Sequence, residues 1–150
     1  MRRRLAFSLM ELLAVVAILG IVAAVIIPRI TDSSSSSKVA VTANDFRLLA
    51  NAAIQYRVET GSWPADVSPG ITPTELAPYF APGDNPFGKA CPLGGSYDWN
   101  GHHSPPTIWV IGGVWESDQQ IAVDALLDDG SLGSGNVRNF HSAVRYTLNH

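Results

Sequence analysis

FSLMELLAVVAILGIVAAVIIP, Phe7 to Pro28, is the stretch whose reading decides the fold. It follows a short basic leader, Met1-Arg2-Arg3-Arg4-Leu5-Ala6, and precedes a polar segment carrying nearly every other charge in the chain. From Leu12 to Pro28 there is no charged side chain, yet Glu11 stands inside the apolar run. At 1.5 Å per residue, Phe7 to Ile30 makes on the order of 36 Å of helix, enough to cross a hydrocarbon core of about 30 Å. The uncharged part alone reaches about 25 Å, so Glu11 is expected near one bilayer interface. A carboxylate near mid-bilayer costs roughly 2.5–3.5 kcal/mol, which makes an intramembrane acid a functional residue by default. The three arginines lie before the span and no comparable basic cluster follows it. By the positive-inside rule the N-terminus is then cytoplasmic and the C-terminal domain is exported.

The segment Ala6-Phe7-Ser8-Leu9-Met10-Glu11-Leu12-Leu13 resembles the prepilin processing motif of type IV pilins and type II secretion pseudopilins. The resemblance implies that a prepilin peptidase cuts between Ala6 and Phe7 and then N-methylates Phe7. It places Glu11 at the fifth mature position, as the assembly residue. Gly20 and Pro28 fall where that family has a helix-loosening glycine and a helix-kinking proline. Leader charge, Phe, Glu spacing, Gly and Pro agree together, over roughly residues 1–60; the remainder is similar only in general plan. One departure stands at the cut, where the family usually has Gly and this chain has Ala6, a residue small enough for such a site. The implied partners are the prepilin peptidase, identical or related pilin subunits, an inner-membrane assembly platform and the membrane. Two other readings compete. Arg2 to Arg4 and Val22-Ala23-Ala24 could belong to a secretory signal peptide, although the apolar run is long for one and contains Glu11. A plain transmembrane anchor explains length and orientation but leaves Glu11 and the Phe-Ser-Leu entry without a role.

With 150 residues, 46% of them hydrophobic, the chain has room for one membrane segment and one small domain. Loss of residues 1–6 removes three of ten basic residues and none of thirteen acids, leaving a net charge of about −6. That balance argues against direct nucleic-acid binding, which needs a basic patch. Cys91 is the single cysteine, so no intramolecular disulfide forms. Many pilins carry a C-terminal disulfide loop, so this departure leans toward the pseudopilin side. Burial of the thiol is the favoured expectation, with intermolecular pairing as the alternative.

After Pro28 come Arg29-Ile30-Thr31-Asp32 and then Ser33 to Ser37. Serine hydroxyls compete for nearby backbone groups, so the helix is expected to weaken or break there, with a hinge near 31–37 and a low-complexity linker as the alternative. From Lys38 to Thr60, Val39, Thr42 or Ala43, Phe46, Leu49 or Ala50, Ala53 and Tyr56 recur at helical steps, and Gly61 supplies a stop. Thr72-Pro73-Thr74-Glu75 predicts a short capped helix that Pro78 limits to one or two turns. The segments Asp84 to Gly88 and Gly94 to Trp99 loosely resemble the loop-into-strand region of major pseudopilins. Ser96 to Asn100, Thr107 to Val114, Val137 to Phe140 and Val144 to Leu148 read as strands. Ser117 to Leu127 reads as a helix with Ser117 and Gln120 as its capping box.

No nucleophile–base arrangement, CxxC or phosphate-binding glycine loop is present. His102 and His103 are expected as solvated turn residues pointing to different sides. Asp124, Asp128 and Asp129 form an acidic group, and some pseudopilins bind Ca²⁺ in C-terminal loops. Oxygen-rich loops suit that cation, but the spacing is not that of an EF-hand. The expectation is a metal-free loop in which Asp128 and Asp129 cap backbone amides. The sequence therefore predicts an α+β protein with a leader at 1–6, an assembly helix at 7–30 and a globular domain at 31–150. Its predicted role is structural, non-enzymatic and cofactor-free, as a filament subunit. The competing class is a membrane-anchored periplasmic binding protein or enzyme that does not polymerise.

Overall fold

The computed structural model describes residues 9–140 and 143–149, and within them the side chains of all but 25–33, 140 and 143. Its first element is α1, Leu9–Thr60, 52 residues of continuous α-helix. The chain divides into two compact units with the boundary between Ser36 and Ser37. The serine run does not interrupt the helix. Each serine costs only a few tenths of a kcal/mol of helix propensity, and breaking a helix sacrifices the cooperative ladder on both sides. Pro28 also lies within α1.

In the second unit, residues 37–60 of α1 bury the stripe their periodicity predicts. Val39, Thr42, Ala43, Phe46, Leu49, Ala50 and Ala53 are buried, and Tyr56 is half-buried. The helix ends at Gly61, whose φ of 77° is costly for any residue with a Cβ and whose N–H donates to the Arg57 carbonyl at 2.8 Å.

That stripe lies on an antiparallel sheet of β1 (Ser96–Asn100), β2 (Thr107–Ile111), β3 (Val137–Phe140) and β4 (Ala143–Thr147), in the order β1-β2-β4-β3. Strand periodicity decides which side chains meet the helix. Tyr97 opposes Val110 and Trp99 opposes Ile108, while Val137 opposes Tyr146. Five of these six are almost completely buried and Tyr146 is half-buried. The Phe46 ring meets Tyr97 and Tyr146 edge-on, each with centroids 5.9 Å apart, so α1 sits on this face. Full burial of one such side chain stabilises by about 1.5–3 kcal/mol.

Between β2 and β3 runs α2, Ser117–Leu127, which packs Val123 into the core and receives a hydrogen bond from the Arg47 guanidinium at the Leu126 carbonyl. Its capping box lies one residue earlier than expected, on Glu116 and Gln119. Residue 116 has the extended backbone an N-cap needs, whereas Ser117 is already helical. The predicted cap at Thr72 is likewise not formed. Residues Thr74–Tyr79 make a 3-10 helix without a side-chain cap, and Glu75 instead accepts from the Ala65 N–H at 3.4 Å. β2 stops at Ile111 rather than Val114, because Gly112 turns with a φ of 76°.

Candidate functional site

The cleavage and methylation residues Ala6 and Phe7 lie outside the described residues. Glu11 is in the first described turn of α1. From Leu9 to Ala24 every side chain is exposed, and the large apolar ones are between 46% and 78% exposed. A helix that is apolar on all faces belongs in a core, a bilayer or a bundle, not in water. A Cβ placed on Gly20 would meet nothing within 4 Å, so among the described residues nothing packs against that glycine. Among the described residues no helix is long and apolar enough to cross a membrane. The span expected from the sequence begins at Phe7, outside the described residues, and is taken up below as a proposal.

Where α1 meets the sheet, polar groups fix its position. The Tyr97 hydroxyl donates to Asp45 at 2.8 Å, and the Thr42 hydroxyl lies 3.6 Å from the Cys91 sulfur. Cys91 is buried, as its favoured reading requires, and burial pushes its thiol pKa up, away from reactive thiolate. Burial, with Cys91 and Asp45 close by, likewise raises the Tyr97 hydroxyl. These contacts hold the helix to β1 and to the loop that precedes it.

The acidic loop is the second place of interest. Asp124, Asp128 and Asp129 each bring a carboxylate oxygen within 4.8 Å of the others. The expected capping is present: Asp129 accepts from the Ser131 N–H and the Ser134 hydroxyl, both at 2.8 Å, and Asp128 accepts from the Asn136 N–H. Asp129 is consequently held below the usual carboxylate range. The loop closes tightly enough that a Cβ on Gly135 would fall 1.9 Å from Asp128 Oδ2. Asp124 differs from its neighbours. It is fully buried at the end of α2, and its carboxylate oxygens have no well-formed hydrogen bond, the Gly130 backbone offering only a weak one. Burial first, and then the Asp129 and Asp128 charges, push its pKa up. Sequence spacing alone did not expose this, because nothing in the pattern says that residue 124 points inward beside Val123. A divalent cation ligated by oxygen fits an orphaned buried carboxylate with two acids beside it.

His102 and His103 do not point to different sides. Their rings lie tilted at 33° with centroids 4.4 Å apart, because the turn between β1 and β2 brings neighbouring side chains together where a strand would alternate them. His102 Nδ1 lies 3.0 Å from Asp66, and His103 lies parallel to Trp109. Both histidines are exposed, and among the described residues neither belongs to a cluster with metal-binding geometry.

Comparison with known proteins bears on both halves. Residues 1–27 match the prokaryotic N-terminal methylation motif. Over 64 residues the chain is 33% identical to type II secretion system core protein G of Pseudomonas aeruginosa, which covers 43% of this chain and 45% of that protein. The chain thus spans less than half the length of this relative. The fold is that of the major type IV pilin PilA1 from Clostridium difficile, with a TM-score of 0.58 and 16% identity, covering 75% of this chain and 95% of the other. The chain carries a prepilin methylation motif on a pilin fold, and the α+β architecture read from the sequence is the one observed.

Proposed function

We propose that this chain is a structural subunit of a type IV pilus-like or type II secretion pseudopilus filament, polymerised through the first part of α1. The observation that carries the proposal is the exposed apolar helix from Leu9 to Ala24, which lies within a matched methylation motif. Before assembly the segment from Phe7 to Ile30 anchors the chain in the bacterial inner membrane, with the leader cytoplasmic and the domain from residue 31 onward periplasmic. A prepilin peptidase removes Met1 to Ala6 and methylates Phe7. The inner-membrane assembly platform then transfers the subunit into a bundle of identical or related helices, in the periplasm or at the cell surface. Gly20 and Pro28 let the helix bend as it moves, and residues 31–37 divide stem from head. The role is structural rather than catalytic.

The mass of the mature protein tests this. Loss of Met1 to Ala6 with one added methyl group on Phe7 is expected, and a bulky substitution at Ala6 should block the cut. A chain beginning after Ala24 would establish a secretory signal and refute the filament reading.

A second reading is favoured by the orphaned Asp124 carboxylate. Asp124, Asp128 and Asp129 would hold a divalent cation, in place of the metal-free loop expected from the sequence. The ion would offset three negative charges and tie the last turn of α2 to the loop that follows it. A ligand present at 100 times its Kd stabilises by about 2.7 kcal/mol, so Ca²⁺ should raise the melting temperature and EDTA should reverse the gain. An unchanged Tm would refute the cation reading and leave the filament reading standing.

A further inference from the structure

The connection between β1 and β2 opens on Asn100-Gly101, a dipeptide that in short hairpins marks a two-residue turn with both residues at positive φ. That is not its use here. Six residues, 101–106, separate the strands, and Gly101 lies outside the left-handed region. The glycine is required by a close approach. A Cβ at 101 would fall 2.4 Å from the Pro64 carbonyl oxygen and 2.7 Å from Trp99 Nε1, and the same carbonyl accepts from the Trp99 indole at 3.2 Å. Residues 61–70 also reach β1 through the Gly70 N–H, which donates to the Tyr97 carbonyl at 2.8 Å. The packing of this loop on β1 therefore excludes a side chain at 101. It leaves Asn100 followed by the one residue without a Cβ to hinder attack of the next backbone nitrogen on the asparagine side chain.

Both partners of that reaction are held apart. The Gly101 N–H donates to Asp66 Oδ1 at 3.1 Å, and His102 Nδ1 lies 3.0 Å from the same oxygen. Asn100 Nδ2 donates to Asp98 Oδ2 at 2.8 Å, which turns the amide back along β1, and residue 100 is fixed by its pairing with Thr107. Succinimide formation requires the Gly101 nitrogen to lose its proton as it bonds to Asn100 Cγ. The bond from Cγ to Nδ2 then breaks, ammonia leaves, and water opens the ring to aspartate or isoaspartate. Negative charge develops on the attacking nitrogen and then on the side-chain oxygen. A carboxylate beside each group opposes that charge, and its hydrogen bond must be given up for the reaction to begin.

We propose that Asn100 is a latent self-modification site, kept as asparagine by Asp66 on the attacking nitrogen and by Asp98 on the leaving amide. Asp66 and Asp98 are positioning residues, and neither forms a bond in the reaction. Conversion replaces the donor to Asp98 with a carboxylate, so three acids then share a place where two stood beside an amide. The isoaspartate product also adds a methylene to the backbone where Gly101 must fit against the Pro64 carbonyl. Conversion therefore undocks residues 61–70 from β1. This site stands independently of the filament reading.

The test is peptide mapping by mass spectrometry of the full chain in detergent, incubated at mildly alkaline pH, for amide-to-acid conversion and isoaspartate at Asn100. The reference is the free peptide Ser96 to Ser104, which has the same dipeptide without the fold. A hydrogen bond to a charged group is worth about tenfold in rate, so the folded chain should convert at least about tenfold more slowly than the peptide. Asp66→Ala should recover most of that factor, and Asp66→Asn, which keeps an acceptor for the Gly101 N–H, should remain slower than Asp66→Ala. Equal rates for the folded chain and the peptide would overturn the proposal, as would equal rates for Asp66→Ala and the wild type. Asp98→Ala should also speed conversion; an unchanged rate would remove Asp98 from the restraint. Val123→Ala separates local restraint from overall stability, because it weakens the core from α2. At a matched loss of melting temperature it should leave Asn100 intact, and conversion as fast as in Asp66→Ala would overturn the local restraint.

Discussion

Replacing Phe46 with alanine tests whether residues 37–60 of α1 are the core of the head or a helix laid against a domain that stands without it. Phe46 is 0% exposed and meets two aromatic rings on two different strands, Tyr97 on β1 and Tyr146 on β4. Truncating a buried Phe costs about 3–5 kcal/mol through lost burial and the cavity left behind. Each aromatic contact adds about 0.5–1.5 kcal/mol beyond area, which places Phe46→Ala near the top of that range. A unit of this size has a stability of roughly 6–17 kcal/mol. At about 3–6 °C per kcal/mol, the melting temperature should fall by on the order of 15–30 °C. Phe46→Leu keeps most of the volume and should lose less than half as much. The assay is thermal melting of the full chain in detergent, followed by near-ultraviolet circular dichroism of the tryptophans packed beside the helix. A fall of less than about 5 °C for Phe46→Ala would refute the claim that α1 closes the core.

If the Glu11 carboxylate pairs with the Phe7 amine of a neighbouring subunit in the proposed filament, breaking that buried pair costs about 3–5 kcal/mol for each contact, so Glu11→Val should leave membrane insertion intact and abolish or impair assembly; normal sedimentation of that variant would remove Glu11 from the assembly mechanism. Asp98 supplies a pH dependence. Burial, the largest cause, raises its folded pKa above the unfolded value, against a 2.8 Å hydrogen bond from Asn100 that lowers it. A raised carboxyl contributes stability that is fully present below the unfolded pKa and is lost as pH rises through the folded pKa. Asp98→Asn should therefore flatten the melting temperature over that window and raise it at pH 7; a steeper profile in the variant would contradict the burial argument.

What could be read from the sequence followed from periodicity. The apolar steps from Val39 to Tyr56, the β-branched and aromatic runs, and the span of α2 each depend on one face being apolar, which a linear pattern records directly. What could not be read depended on which polar group wins a local competition. Glu116 and Ser117 can both cap α2, and only the backbone angles at residue 116 decide between them. Thr72 spends its hydroxyl on Asn85 rather than on the helix after it. The five serines are unfavourable one by one yet lie inside a long helix, since propensity is a weak prior beside cooperativity. Asp124 is the consequential miss. An acid four residues before Asp128 looks like a surface pair, and only the packing of α2 turns it inward.

The two parts of α1 face different physical problems, and the proposed role of Glu11 follows from the difference. Residues 37–60 bury their stripe in their own chain, so the hydrophobic effect specifies their neighbours. Residues 9–24 are apolar on all sides and have no preferred face. Moving such a segment from lipid into a bundle of similar helices gains little hydrophobic free energy, because lipid tails are as apolar as leucine. The transfer is therefore nearly balanced in its non-specific part, which allows a filament to be drawn from the membrane. For the same reason apolar packing alone would tolerate slipped arrangements. A charge is different. In the proposed filament, once Phe7 carries a free amine, a group that ordinarily titrates near pH ~8, the Glu11 carboxylate of a neighbouring helix would meet it at one axial step and not at slipped ones. On this argument the residue most costly to place in the bilayer selects a single register for a helix that otherwise has none.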